Sequence, residues 1–236
     1  MKIVHPKAKM LILSTSTIHG SGYLEYVLDT IKDFLKGKKV LFVPYARPSG
    51  ISHEEYTQTV KNAMQKIDIE VEGLHNFENP KEAIRNAEAI FIGGGNTFLL
   101  LKTLYELDLI EDLRDAIHNQ TPYIGSSAGS NITGQSIGTT NDMPIVYPPS
   151  FKALGILPFN INPHYLDPDP NSTHKGETRE TRIFEFHKFN SLDVIGLREG
   201  SWLEVENGNI FLRGKLQARI FQANQDPKEI DTDSQL

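Results

Sequence analysis

The 236-residue chain contains no cysteine. This absence excludes disulfides, thiolate nucleophiles and the zinc or iron–sulfur sites that need cysteine ligands. The chain also lacks an apolar run near the ~20 residues that a membrane-spanning helix requires. Its first apolar run, Met10–Leu13, is shorter than the ~7–15-residue core of a signal peptide. We therefore expect a cytoplasmic protein with no membrane partner.

The chain also has fewer positively than negatively charged residues. The 24 lysines and arginines are outnumbered by 30 aspartates and glutamates, which gives a formal net charge of -6. The cations are scattered rather than gathered into the basic stripe that a phosphate backbone requires, so nucleic acid is not an expected partner. Chains usually divide only beyond roughly 250 residues, so we expect a single α/β domain over residues 1–236.

Short apolar runs alternate with segments of helical period, a pattern typical of a mainly parallel sheet with flanking helices. A helical stripe from Leu24 to Leu35 should end at Gly37. Near the C-terminus, Asn207-Gly208 predicts the turn of a β-hairpin, and the polar tail from Asp226 should fray. The predicted strands lie at residues 10–14, 40–44, 69–73, 89–92, 122–125, 193–197 and 218–221.

The segment Gly125-Ser-Ser-Ala-Gly129 has the form Gly-x-Ser-x-Gly between a predicted strand and a predicted helix. This is the context of a nucleophile elbow, in which a tight turn presents a serine at the C-terminal edge of a sheet. The following helix would direct its amide dipoles at a developing anion. The competing interpretation is a helix start at which Ser126 or Ser127 only caps the helix.

Three consecutive glycines, Gly93 to Gly95, follow the strand at 89–92. Glycines at such a strand end allow backbone amides to face the crevice where open α/β sheets bind ligands. An oxyanion hole needs two donors, and the amide of Ala128 with that of Gly94 or Gly95 would supply them. The alternative is a phosphate-binding turn, but neither Gly-Lys-Ser/Thr nor Gly-x-Gly-x-x-Gly is present.

A serine nucleophile needs a base and a carboxylate that orients it. Among eight histidines, His164 stands out because it follows a plausible strand and Pro163. Asp142 and Glu199 are the candidate carboxylates, since each lies beside a strand end or turn, and either could instead be a surface acid.

Together, six ordered segments resemble peptidase E, the α-aspartyl dipeptidase family, over essentially the whole chain. They are Phe91–Phe98, Tyr123–Gly129, Thr139–Val146, Ile161–His164, His174–Glu180 and Ile195–Gly200. The resemblance implies a fold like that of the class I glutamine amidotransferases and hydrolysis of dipeptides with an N-terminal aspartate, without a metal or cofactor.

By that resemblance Ser127 is the nucleophile and His164 the general base. We expect Asp142 to complete a Ser-His-Asp triad, with Glu199 nearer the ammonium of the substrate. Arg179 is the expected clamp for the aspartate carboxylate, and Arg182 is the alternative. Ser126 departs from the family pattern, which has a bulky aromatic residue before the nucleophile, and this could alter the pocket wall.

Three other functions stay open. A cyanophycinase-like peptidase would keep the serine and histidine but needs room for a polymer. A general esterase would accept neutral esters as readily as Asp-containing dipeptides. A non-catalytic ligand-binding domain of the same fold would be expected to lose Ser127 or His164, both of which are present.

Overall fold

The computed structural model describes residues 7–169, 171, 173 and 176–236. Its strands are β1 Met10–Leu13, β2 Val40–Val43, β3 Val71–Gly73, β4 Ala89–Ile92, β5 Tyr123–Ser126, β6 Asn160–Pro163, β7 Val194–Leu197, β8 Ser201–Glu206, β9 Asn209–Gly214, β10 Ala218–Phe221 and β11 Lys228–Ile230. Its α-helices are α1 Leu28–Leu35, α2 His53–Met64, α3 Pro80–Arg85, α4 Thr97–Glu106, α5 Ile110–His118, α6 Ala128–Asn131 and α7 Arg179–Phe186.

The strands form two sheets. The seven-stranded sheet has the order β3-β2-β4-β5-β1-β8-β9, and its first five strands are parallel. The four-stranded sheet has the order β11-β10-β7-β6, with β6 parallel to β7. A mainly parallel sheet with flanking helices and a C-terminal hairpin, here β8 and β9, confirms the predicted fold class. The sequence did not reveal that a second sheet exists.

Burial explains why the parallel strands read as continuous apolar runs. Every residue of β1, β2, β4 and β5 is buried, because one apolar cluster covers each face of the large sheet. The strands of a parallel sheet that is covered on both faces read as nearly continuous hydrophobic runs rather than as an alternation of apolar and polar residues. Side-chain caps start some of the helices: Ser52 and Glu55 form a capping box at α2, and Asn96 accepts the Leu99 N–H at α4.

Two predicted boundaries were wrong. The stripe from Leu24 to Leu35 is α-helical only from Leu28, because Leu24 adopts a left-handed conformation with φ 57°. The tail from Asp226 does not fray: β11 pairs with β10. Glu229 on β11 accepts hydrogen bonds from Arg198 and Arg219, so long-range ion pairs hold a segment with little apolar surface.

None of the helices within the described residues has the length and apolar character that crossing a bilayer would require. One of the six segments that carry the resemblance, His174–Glu180, lies partly outside the described residues, because the structure leaves out 174 and 175.

Candidate active site

Ser127 follows β5 in a strained backbone conformation, with φ 52° and ψ -108°. Its N–H donates to the Leu13 carbonyl at 3.2 Å, and its carbonyl accepts the N–H groups of Ser130 and Asn131. A non-glycine residue in such a sparsely populated region persists only where its surroundings enforce it. The strand, the strained serine and the short α6 together form the predicted elbow turn, which we define as Gly125–Gly129.

The two glycines of the elbow permit a very close backbone approach. A Cβ added at Gly129 would lie 2.1 Å from the Ile92 carbonyl oxygen, and one added at Gly125 would lie 2.6 Å from the Gly129 oxygen. Real Cβ contacts are essentially never this short, so α6 could not lie so close to β4 and β5 with larger residues.

Gly129→Ala is therefore expected to lower the free energy of unfolding by about 2 kcal/mol or more, since the obstacle is backbone and cannot rotate away. Urea denaturation monitored by circular dichroism measures the change. Gly22→Ala is the matched control, because its added Cβ would meet only the flexible Glu25 carboxylate at 3.1 Å. Equal unfolding midpoints for the two variants would contradict this account of the elbow.

The two serines of the elbow occupy different environments. Ser126 is fully buried, and its hydroxyl finds no hydrogen-bond partner among the described residues. Ser127 is partly exposed, and its hydroxyl lies 2.8 Å from His164 Nε2. Only Ser127 thus combines access with a neighbouring base. Ser126 is buried, so it does not present a polar side chain at the surface of the site.

His164 directly follows β6, and its backbone lies in the left-handed region with φ 54°. Its N–H donates to the buried Ser14 hydroxyl at 2.9 Å, and that hydroxyl donates to the Leu197 carbonyl at 2.7 Å. Ser14 directly follows β1, whereas Leu197 ends β7. One hydroxyl therefore ties the large sheet to the small sheet at the point where the imidazole meets Ser127.

Glu199 lies on the other side of the imidazole, with Oε1 2.6 Å from His164 Nδ1. An ionised carboxylate can only accept a hydrogen bond, so Nδ1 carries the proton and Nε2 is left to accept from the Ser127 hydroxyl. Burial raises the pKa of the nearby Tyr26 beyond its ordinary value, and the negative charge of Glu199 raises it further.

Asp142 is not beside His164, in contrast to the sequence-based expectation. Its Oδ2 accepts the Thr97 N–H at 2.7 Å, at the first residue of α4, and the Thr140 hydroxyl at 3.1 Å. A carboxylate is stabilised at a helix N-terminus by the free N–H groups and the helix dipole, which explains its position. The acid that contacts the imidazole is Glu199, the residue we had expected nearer the substrate ammonium.

The glycine loop, which we define as Gly93–Asn96, borders the elbow. A Cβ added at Gly94 would lie 3.0 Å from Ser127 Cβ and 3.6 Å from its Oγ. The Gly94 carbonyl accepts a hydrogen bond from Tyr56 at 3.1 Å. In a planar trans peptide the next N–H points the opposite way, so Tyr56 also fixes the direction of the Gly95 N–H.

Arg179 is the first residue of α7 and is partly buried. Burial lowers the pKa of its guanidinium, as does the neighbouring Arg182, whereas Asp142 acts in the opposite direction. No ion pair among the described residues includes Arg179. The structure therefore brings one cation and one anion, Arg179 and Asp142, close enough to interact electrostatically. Arg182 is exposed.

Sequence reasoning missed two polar residues of this region. Ser14 gave only a weak signal, a small polar residue at the end of a buried parallel strand. Tyr56 gave no signal, because a tyrosine within an amphipathic helix is expected to belong to the core. Its side chain is indeed buried, with 1% of the residue exposed, but its hydroxyl donates a hydrogen bond to the glycine loop.

The chain resembles known peptidases over nearly its full length. The family model "Peptidase family S51" matches residues 10–213. Peptidase E of Streptomyces coelicolor is 50% identical over 228 residues, covering 96% of this chain and 93% of the relative. A Drosophila melanogaster protein named "Probable alpha-aspartyl dipeptidase" is 48% identical over 225 residues, covering 94% and 92%.

A solved structure also shares the fold. The crystal structure of a peptidase from an acI-B1 Actinobacterium superposes with a TM-score of 0.70 at 15% identity, covering 99% of this chain and 97% of that one. The sequence relatives confirm the predicted family, and the likeness to this structure confirms the predicted fold class.

Proposed function

We propose, from the premise that this chain belongs to peptidase family S51, that it is a serine exopeptidase that hydrolyses dipeptides with an N-terminal aspartate. The observation that carries the proposal is a pair of hydrogen bonds on the two sides of one imidazole. One joins Ser127 Oγ to His164 Nε2, and the other joins His164 Nδ1 to Glu199 Oε1. The name of the Drosophila melanogaster relative supports the substrate class. The enzyme would act as one domain in the cytoplasm.

In the proposed mechanism, Ser127 Oγ attacks the carbonyl carbon of the aspartyl residue while His164 Nε2 takes the hydroxyl proton. Glu199 stabilises the imidazolium that forms. The N–H of Ala128, with that of Gly94 or Gly95, stabilises the oxyanion of the tetrahedral intermediate. The C–N bond then breaks, and His164 returns the proton to the leaving amine. Water attacks the acyl-enzyme in the same way and releases aspartate.

Glu199 replaces Asp142 as the third member of the triad in this proposal. Asp142 becomes the partner of the substrate ammonium, since its second oxygen, Oδ1, accepts no hydrogen bond within the described residues. Arg179 would hold the side-chain carboxylate of the aspartate with its planar fork. A free N-terminal aspartate carries one cation and one anion, which Asp142 and Arg179 complement.

A panel of Asp-Leu, Asn-Leu and Glu-Leu tests the proposal directly. We expect hydrolysis of Asp-Leu, with much lower kcat/KM for Asn-Leu, because an amide cannot pair with a guanidinium as a charged carboxylate does. Equal rates on all three dipeptides would contradict selectivity for aspartate. Faster hydrolysis of a neutral ester, measured beside the panel, would favour the esterase alternative.

Arg179→Gln is expected to lower kcat/KM for Asp-Leu by roughly 30-fold or more, the usual cost of removing one member of a desolvated charge pair. Asn-Leu should be affected far less, so the Asp-to-Asn preference should shrink. Arg182→Gln is the matched control on the same helix. If Arg182→Gln abolishes the preference for aspartate and Arg179→Gln leaves it intact, the aspartate carboxylate is bound by Arg182, one helical turn away.

A further inference from the structure

Arg47 lies in the loop between β2 and α2. It contacts Tyr56, which belongs to the apolar cluster on one face of the large sheet, whereas Asp142 caps α4, which packs in the cluster on the other face. The Ala46 carbonyl accepts the Asn96 N–H at 2.7 Å, and a Cβ added at Gly95 would lie 2.2 Å from that oxygen. On the other side, Asn96 Nδ2 donates to the Met143 carbonyl, beside Asp142. The glycine loop thus separates two charged regions, one with Arg47 and one with Asp142 and Arg179.

The guanidinium of Arg47 is held in place by an aromatic ring. Its Cζ lies 4.8 Å from the centroid of Tyr56, the residue whose hydroxyl donates to the Gly94 carbonyl. Tyr23 approaches the Tyr56 hydroxyl to 3.4 Å. Burial and Tyr56 raise the pKa of Tyr23, and the positive charge of Arg47 acts in the opposite direction. A continuous series of contacts therefore runs from Arg47 through Tyr56 and Gly94 to Ser127.

The contact with Tyr56 does not consume the hydrogen-bond donors of Arg47. A guanidinium is attracted to an aromatic ring without using its N–H groups, which remain able to bind a carboxylate with two parallel hydrogen bonds. Within the part of the chain that the structure describes, no carboxylate forms an ion pair with Arg47, although the residue is exposed. An arginine that is oriented but unpaired is suited to an anionic ligand.

A dipeptide has one anionic group that the proposed site leaves unmatched. Asp142 and Arg179 complement the ammonium and the side chain of the first residue, but the second residue ends in a free α-carboxylate. The two residues of a dipeptide extend away from each other on either side of the scissile carbonyl. A first residue held by Asp142 and Arg179, with its carbonyl at Ser127, would therefore direct the second residue to the other side of the glycine loop, the side of Arg47.

We infer that Arg47, oriented by Tyr56, binds the α-carboxylate of the leaving residue and so makes the enzyme selective for dipeptides. This inference rests on the proposed function and adds the recognition of the second residue. A third residue would move the carboxylate by about 3.5 Å per residue of extended chain, out of reach of a fixed guanidinium. Amidation would remove the charge and leave the shape nearly unchanged.

The test compares Asp-Leu with Asp-Leu-amide, which share the first residue and the scissile bond. For the unaltered enzyme we expect kcat/KM to be on the order of 10- to 100-fold higher for Asp-Leu, the range of a hydrogen-bonded charge contact. Arg47→Gln should bring the ratio of the two values close to one. Arg47→Lys, which keeps the charge but not the planar fork, should give an intermediate ratio.

Arg85→Gln is the matched control, because it removes the same charge from an exposed arginine that pairs with Asp112 on α5. For this variant, the ratio of kcat/KM for Asp-Leu to that for Asp-Leu-amide should equal the ratio of the unaltered enzyme. A general loss of activity affects both values equally and so cancels in the ratio, and circular dichroism verifies that each variant is folded.

The outcomes distinguish a failure of the role inferred for Arg47 from a failure of the proposed dipeptidase function. If the unaltered enzyme cleaves both substrates equally well, or if Arg47→Gln keeps the preference, the inference is overturned while the proposed function stands. If Arg85→Gln lowers the ratio as much as Arg47→Gln, a general electrostatic effect replaces the specific contact. If neither substrate is cleaved, the proposed function fails, and the role of Arg47 fails with it.

Discussion

Ser127→Ala is expected to lower kcat for Asp-Leu by about 10⁴- to 10⁶-fold, the cost of removing the nucleophile from a serine hydrolase triad. Without the hydroxyl no acyl-enzyme can form, so only binding and the oxyanion donors remain. Steady-state kinetics with a sensitive assay for released leucine measures the loss. KM should change much less than kcat, because Ser127 makes no charged contact with the substrate.

Ser126→Ala is the control for this measurement. The Ser126 hydroxyl is fully buried without a partner among the described residues, so its removal leaves no group unsatisfied. We expect kcat near that of the unaltered enzyme. If Ser126→Ala is inactive while Ser127→Ala retains activity, the nucleophile is misassigned by one residue.

Glu199→Gln should have the second largest effect, a fall in kcat of roughly 10²- to 10⁴-fold. A glutamine cannot stabilise the imidazolium, and its amide group can donate to Nδ1 and so favour the wrong tautomer of His164. Because the Glu199 side chain is 52% exposed, solvent should soften the loss relative to a fully buried triad acid. The loss should appear with every substrate that the enzyme cleaves.

Asp142→Asn distinguishes the two acids. Succinyl-leucine is Asp-Leu without its ammonium, so an ammonium partner matters only for Asp-Leu. We expect Asp142→Asn to reduce the preference for Asp-Leu over succinyl-leucine, and Glu199→Gln to lower both values of kcat by a similar factor. The reverse pattern would restore Asp142 as the acid that orients His164.

The contact between Ser127 and His164 could be predicted because local patterns point to both residues. The identity of the third residue could not. Asp142 and Glu199 both lie near strand ends, and the choice depends on the second sheet, in which β6 pairs with β7 and places Pro163 opposite Leu197. That register brings residue 199 next to residue 164. Hydrophobic periodicity does not specify which strands pair across a fold.

The strands of the large sheet were predictable for a simple reason. Burial on both faces turns each parallel strand into an apolar run, as in β4. By contrast, β11 is polar and is held by pairing with β10 and by Arg198 and Arg219. Arg47 and Tyr56 were missed because their relation to the site arises from a contact between α2 and the glycine loop, which only the folded chain reveals.

Labelling with a fluorophosphonate shows whether the elbow and His164 together make one serine nucleophilic. We expect a single covalent adduct, found by peptide mapping on Ser127, with labelling lost in Ser127→Ala and strongly slowed in His164→Ala. An adduct on Ser126, or no adduct in an enzyme that still hydrolyses Asp-Leu, would contradict this expectation.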